Sequence, residues 1–195
     1  MAKVRFYYSA MNAGKTTTLL QSAYNYQERG MNVLLYTPLI DNRFEVGVIA
    51  SRIGLKADAI PFDAAFQFFQ HVQQFQHAQE FESSSIQCIL IDEAQFLTKS
   101  QVQDICMIAD RLHIPVLCYG LRTDFLGEPF EGSYYLLSWA EELIEIKTIC
   151  HCGKKATMNA RMDEKGDIVH QGRQIEIGGN ERYIALCRKH YYEAF

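Results

Sequence analysis

The stretch Ser9-Ala10-Met11-Asn12-Ala13-Gly14-Lys15-Thr16 joins an apolar run at 4–8 to a helical pattern that begins near Thr17. Gly14, Lys15 and Thr16 match the end of the phosphate-binding pattern G-x-x-x-x-G-K-[ST], and Ser9 stands at its first glycine position. A buried strand that delivers such a loop to a helix N-terminus aims backbone N–H groups and the positive end of the helix dipole at one point, which suits a triphosphate. Gly14 lets the backbone approach an oxygen closely, Lys15 reaches the β and γ phosphates, and the Thr16 hydroxyl can ligate Mg²⁺. A second centre, Asp92-Glu93, follows the apolar run 86–91. At the carboxyl end of a strand in an open α/β sheet, both carboxylates face the phosphate loop. Asp92 is then placed to hold Mg²⁺, often through water, and Glu93 to accept a proton or polarise an attacking water or hydroxyl. An acidic pair stabilising a helix dipole is the plainer alternative.

Cys150-His151-Cys152-Gly153 and Cys187-Arg188-Lys189-His190 form two further paired sites, each able to give two ligands to a tetrahedral zinc. His190 suits the fourth position better than His151. Such an ion would stabilise a unit too small to build its own core, by about 10–16 kcal/mol in small zinc modules. Free thiols beside a histidine are the competing reading. Cys88, Cys106 and Cys118 lie singly in apolar segments, as buried small hydrophobes do. Phe96, Phe125 and Tyr183 near these loops could wall a pocket for a planar ring or belong to the core, and spacing does not decide.

The elements that must position these groups follow from periodicity. Runs at 4–8, 32–37, 86–91, 114–119 and 143–149 read as strands, with Pro38 ending the second and Pro115 near the start of the fourth. Helical spacing covers 17–29, with Gly30 as its C′ residue, 63–81, with Asp63 as N-cap, and 100–112. Residues 39–53 read as a loop with short strand pieces, and 121–134 as irregular. This alternation predicts an α/β fold with a parallel sheet and helices on its faces. From Cys150 the texture changes to frequent Lys, Arg and Gly with shorter apolar runs, which divides the chain into 1–149 and a small unit at 150–195. Within that unit a polar loop at 163–172 joins strand-like segments at 156–162 and 174–177.

The 195 residues, 48% of them apolar, suffice for a large core. No run is long and pure enough to cross a bilayer, and the N-terminus reads as a strand rather than a signal, so a cytoplasmic protein without membrane partners is expected. Cysteines in that setting bind metal more readily than they form disulfides. The net charge of -4 offers no general attraction to nucleic acid.

The loop Ser9 to Thr16, Asp41-Asn42-Arg43, Asp92-Glu93-Ala94-Gln95-Phe96, Gly120-Leu121-Arg122-Thr123-Asp124-Phe125, the cysteine pairs and Ile177-Gly178-Gly179-Asn180-Glu181-Arg182-Tyr183 together resemble the cytosolic-type (type II) thymidine kinases, in particular bacterial members, over nearly the whole chain. The resemblance implies a P-loop (RecA-like) ATP-binding domain and a small C-terminal zinc-binding domain whose lasso loop closes over thymidine. It implies ATP, Mg²⁺ and structural Zn²⁺, a homotetramer and inhibition by thymidine triphosphate. ATP would be bound by Ser9 to Thr16 and by Asp92, Glu93, Ala94 and Gln95. Glu93 would be the base, Thr16 and Asp92 would hold Mg²⁺, and Asp41 and Arg43 would support phosphoryl transfer. Met11, Phe96, Leu121, Phe125 and Tyr183 would enclose the nucleoside base, with backbone groups near Ile177 and Gly178 reading its edge. Three departures stand out: Ser9 for glycine, Cys150-x-Cys152 for the commoner Cys-x-x-Cys, and Asn159 where relatives often carry threonine.

Two other classes share parts of this pattern. A P-loop ATPase or GTPase would need no acceptor pocket, and the guanine-reading Asn-Lys-x-Asp is absent. A zinc-stabilised nucleic-acid-binding module would use the basic C-terminal unit, but interleaved basic and aromatic residues are lacking.

Overall fold

Unbroken apolar runs belong to strands covered on both faces, and the computed structural model, which describes residues 2–41, 45–78, 85–176 and 182–194, arranges them so. Strands β1 (Val4–Ser9), β2 (Asn32–Pro38), β5 (Ile60–Phe62), β6 (Ile86–Ile91), β7 (Val116–Leu121) and β8 (Glu142–Glu145) form one sheet in the order β5-β2-β6-β7-β1-β8. Every pairing in it is parallel. Side chains alternate between two cores. Leu35, Leu90, Leu117 and Tyr119 pack with Leu19, Leu20 and Ala23 of helix α1 (Lys15–Gln27) on one face. Tyr36, Ile89, Ile91 and Val116 pack on the other against helices α2 (Phe68–Ala78), α3 (Lys99–Met107) and α4 (Glu131–Trp139). Among the described residues no helix is long and apolar enough to cross a membrane.

Several boundaries differ from the sequence expectation, each for a local reason. Helix α1 starts at Lys15 rather than Thr17, because Gly14, with φ of 81°, completes the turn immediately before it. Asp63 is not the N-cap of α2. Its carboxylate accepts the Ala65 N–H at 3.0 Å, a local turn that delays the helix to Phe68; residues 79–81 lie outside the described set. Thr98 and Gln101 close a reciprocal capping box at the start of α3, and the helix continues as a π turn, Ile108–Leu112. Helix α4 begins inside the stretch 121–134 expected to be irregular and continues beyond it, through residues given no element. Its N-cap, Phe130, offers no side-chain bond, so the usual starting signal is missing.

The segment 143–149 splits: β8 joins the main sheet, whereas β9 (Thr148–Ile149) pairs antiparallel with β10 (Lys155–Ala156). Strand β11 (Met158–Arg161) pairs antiparallel with β12 (Tyr183–Leu186). The described part of the expected strand 174–177 is not extended ladder, because β12 takes the place beside β11. Hairpin β3 (Val48–Ala50) and β4 (Lys56–Asp58) accounts for strand pieces in the second loop, and helix α5 (Arg188–Ala194) ends the chain. Cys150, Ala156, Ala160, Leu186, Cys187 and Tyr191 form a third cluster, which also takes in Ala10 of the phosphate loop.

Candidate active site

The parallel register sets Ser9, at the end of β1, opposite Leu121 at the end of β7, and β6 lies beside β7. Three loops therefore leave the sheet at one edge. In the first, Asn12 (φ 63°) and Gly14 (φ 81°) take the left-handed conformation that bends the chain into α1. Ser9 is buried, and its hydroxyl accepts a bond from Lys15 Nζ at 3.1 Å while donating to the Ala10 carbonyl at 2.7 Å. This gives a physical role to the serine that replaces glycine: it seats the lysine. Lys15 Nζ also donates to the Ala10 carbonyl at 3.3 Å. The Thr16 hydroxyl donates to Asp92 Oδ2 at 3.1 Å, so the loop and the end of β6 meet through two oxygen ligands suited to Mg²⁺.

Past β6, Asp92 keeps a sheet-like bond from its N–H to the Tyr36 carbonyl, 2.9 Å, and its Oδ1 accepts the Glu93 N–H at 3.0 Å. Glu93 has φ of 47°, a left-handed conformation that costs a non-glycine residue roughly 1–2 kcal/mol. Its Oε2 accepts from Gln95 Nε2 at 2.6 Å, and Gln95 Oε1 accepts the Leu121 N–H at 3.0 Å. Gln95 thus ties the acidic turn to the end of β7. A Cβ on Gly120 would stand 2.9 Å from Gln95 Oε1 and 3.0 Å from the Gln95 backbone N, so a side chain there would displace this tie.

A cleft of about 980 Å³ opens over these groups. Met11, Asn12, Ala13, Gly14, Lys15, Thr16, Asp41, Glu93 and Gln95 line it together with Phe96, Leu121, Phe125 and Tyr183. Ser9, Ala10, Asp92 and Ala94 lie beneath and do not line it; each is buried. The open question about the aromatics resolves both ways at once: Phe125 (1% exposed) and Tyr183 (8%) are packed, yet their surfaces form cleft wall. Burial raises the Tyr183 phenol, against the lowering effect of Arg161 beside it. Arg43, Ile177 and Gly178 lie outside the described residues.

Other groups were not legible as site residues. Asn159 is 2% exposed and lines the cleft, where its Oδ1 accepts the Met11 N–H at 2.8 Å and its Nδ2 donates to the Thr123 carbonyl at 3.0 Å. It bolts the phosphate loop to the 121–125 loop. Asp124 orders its own turn by accepting from the N–H groups of Leu126 and Glu128, both at 2.9 Å, and receives Gln174 Nε2 at 3.0 Å. An asparagine between Met158 and Ala160 and an Asp before Phe-Leu-Gly were the available signals, and neither names its partner.

The sulfurs of Cys150, Cys152 and Cys187 and a ring nitrogen of His190 all lie within 4.8 Å of one another. The turn between β9 and β10, with Gly153 at φ 79°, presents the first two, and the start of α5 presents the others. Cys150 Sγ is 3.3 Å from His190 Nδ1, and Cys152 Sγ is 3.9 Å from Cys187 Sγ. His151 stacks on the His190 ring, centroids 4.3 Å apart, and its Nδ1 lies 3.7 Å from Cys150 Sγ, but it does not belong to the mutually close set. Burial opposes ionisation of Cys150, but hydrogen bonds from the Cys152 and Cys187 backbone and from His190 hold its thiol down to about 6. A set of three cysteine sulfurs and one imidazole at these distances fits zinc. By contrast Cys88 and Cys118 are fully buried, and burial pushes the Cys88 and Cys106 thiols up to about 11.

Against known proteins, the family model described as thymidine kinase matches residues 2–191. A thymidine kinase of Yersinia pseudotuberculosis serotype I is 59% identical over 194 residues, covering 100% of this chain and 96% of the relative. The thymidine kinase of Vibrio cholerae serotype O1 is 60% identical, with 100% and 98% covered. That of Coxiella burnetii is 56% identical over 191 residues, with 98% and 95% covered.

Proposed function

Because this chain belongs to the thymidine kinase family, we propose that it transfers the γ-phosphate of ATP to the 5′-hydroxyl of thymidine, giving thymidine 5′-monophosphate for nucleoside salvage in the cytoplasm. One observation carries this reading: the phosphate loop and Glu93 open into the same cleft as the aromatic wall of Phe96, Phe125 and Tyr183. A hydrolase without an acceptor would have no use for that second half of the cleft. Deoxyuridine, which lacks only the thymine methyl, is the second acceptor in this reading.

The residues at the acceptor end do the proton chemistry. Glu93 takes the proton of the 5′-hydroxyl as the oxygen attacks the γ-phosphorus in line, with Gln95 holding its carboxylate in register. Lys15 swings from Ser9 and the Ala10 carbonyl to the β and γ phosphates, and the N–H groups of residues 10–16 cradle them. The Thr16 and Asp92 oxygens fit a magnesium ion, which when bound neutralises charge on the transferred group. Asp41 and Arg43 support the transfer, as the resemblance implies. Met11, Leu121 and the three rings enclose the base, and backbone groups at Ile177 and Gly178 read its edge. We divide the chain functionally into the ATP-binding part, 1–149, and a zinc and lasso part, 150–195, with Cys150, Cys152, Cys187 and His190 holding structural zinc. Homotetrameric assembly and inhibition by thymidine triphosphate complete the reading.

A nucleoside panel tests it. With ATP and Mg²⁺, thymidine should be phosphorylated fastest, deoxyuridine more slowly, and phosphate release without nucleoside should be negligible. Nucleoside-independent hydrolysis as the main activity would overturn the proposal, and salt-sensitive oligonucleotide binding without phosphorylation would replace it.

A further inference from the structure

Arg161 ends β11 and is 3% exposed, yet it is not among the residues that line the large cleft. It lines a smaller hollow instead, and Ile175 and Glu176 border both spaces. The guanidinium thus sits behind the cleft wall.

Its bonds run to three separate parts of that wall. Nε donates to the Tyr183 hydroxyl at 3.1 Å, which in turn donates to the Glu176 carbonyl at 2.7 Å. Nη2 donates to the carbonyls of Arg173 and Gln174 at 2.7 and 3.2 Å, and Nη1 pairs with Glu176 Oε2 at 3.2 Å. The plane lies over the Phe125 ring, 3.8 Å from its centroid. At Gly172 the chain passes close by: φ is 145°, and a Cβ there would stand 3.3 Å from Nη1. A planar fork with donors in fixed directions makes these bonds together, and a lysine ammonium on a flexible stem cannot. A buried charge is retained only where such partners satisfy it.

The geometry points to Arg161 as a positioning residue for the nucleoside acceptor, which holds Phe125, Tyr183 and residues 173–176 as one wall without itself reaching the cleft. The inference rests on the kinase reading above. Loss of the fork loosens the acceptor half of the cleft and leaves the phosphate loop, tied separately through Ser9 and Asp92, in place.

The test is Arg161→Lys in the full-length protein, with Tyr183→Phe as a milder variant that removes only the shared hydroxyl. In Arg161→Lys, KM for thymidine should rise by roughly tenfold or more, as expected when charge-assisted buried bonds are lost. KM for ATP should stay within about twofold, because ordinary nucleotide contacts are untouched. Tyr183→Phe should raise the thymidine KM by a few-fold, and the double variant should be little worse than Arg161→Lys, since both act through one network. Backbone hydrogen exchange over residues 173–176 should quicken in Arg161→Lys, a readout that needs no activity. An unchanged thymidine KM with unchanged exchange overturns the positioning role. Equal rises in both KM values with a collapse of thermal stability also overturn it, in favour of a purely structural arginine; if Arg161→Lys does not fold, an unchanged thymidine KM in Tyr183→Phe does the same. Quickened exchange in a protein whose wild type ignores thymidine would leave the tie standing and refute the kinase reading.

Discussion

Replacing Glu93 by Gln removes the carboxylate proposed to accept the proton and keeps the side chain's shape. The new amide has the shape of the carboxylate, and its oxygen can still accept from Gln95 Nε2, now 2.6 Å away. That bond changes from charge-assisted to neutral, a loss of about 1 kcal/mol, which for a chain of this size lowers the melting temperature by roughly 2–4 °C. The left-handed backbone at φ 47° is the same strain for both residues. ATP contacts should survive, because the bonds that organise the loop run from Lys15 to Ser9 and from Thr16 to Asp92. Removing a general base costs about 10²–10⁴ in rate, equivalent to some 3–5 kcal/mol of barrier. The catalytic loss should therefore exceed the structural loss several-fold. Steady-state formation of thymidine monophosphate, titration calorimetry with ATP and thermal unfolding separate the three quantities. A variant with intact ATP binding and kcat within about threefold of wild type would refute the assignment of Glu93 as base.

Asn159→Leu removes the partner of the Met11 N–H and of the Thr123 carbonyl at a part-buried place beside the cleft, a cost of about 1–2 kcal/mol; unfolding should begin several degrees lower, and KM should rise for both substrates, whereas wild-type unfolding would show that these bonds contribute nothing in solution. The purified protein should carry zinc, and Cys187→Ser or chelation should lower its melting temperature sharply by removing the link between the β9–β10 turn and α5; absence of zinc from protein of full stability would sink that reading. Burial raises the Cys88 and Cys106 thiols from 9.0 to about 11, so the unfolded chain ionises first. Their stabilisation is whole below the unfolded value and is lost as pH rises through the folded one, at about 1.4 kcal/mol per pH unit and thiol. Denaturant midpoints should fall over that window, less steeply in Cys88→Ala, and an identical slope in the variant would refute the attribution.

The strand, loop and helix of residues 4–27, the acidic pair after 86–91 and the cysteine pairs were legible because each is a local pattern: an apolar run, a glycine that permits a left-handed turn, ligands a few residues apart. Helix α4 was not, since Phe130 supplies no cap and its fit is decided at Gly132. A Cβ there would stand 2.5 Å from the Ala94 carbonyl and 2.8 Å from that of Leu97, so the helix is defined by what it packs against. Strand β5 was equally hidden, three residues with a central proline that only an edge position tolerates. Of the two histidines beside the cysteines, fold-level packing turned His190 into the cluster and stacked His151 outside it.

By itself the sequence determined which groups are available: a Gly-Lys-Thr loop after one apolar run, an acidic pair after another, and two short-spaced sets of cysteine and histidine, because residue type and short spacing are written in it directly. Tertiary structure decided which of them meet. Thr16 finds Asp92 across 76 positions and Met11 finds Asn159 across 148, contacts that follow from strand order and from the packing of β11 against the loop. Arg161 shows the same division most plainly. As one arginine among nineteen basic residues it carries no pattern, and its role exists only because folding brings two rings, two adjacent carbonyls and a carboxylate around one planar cation.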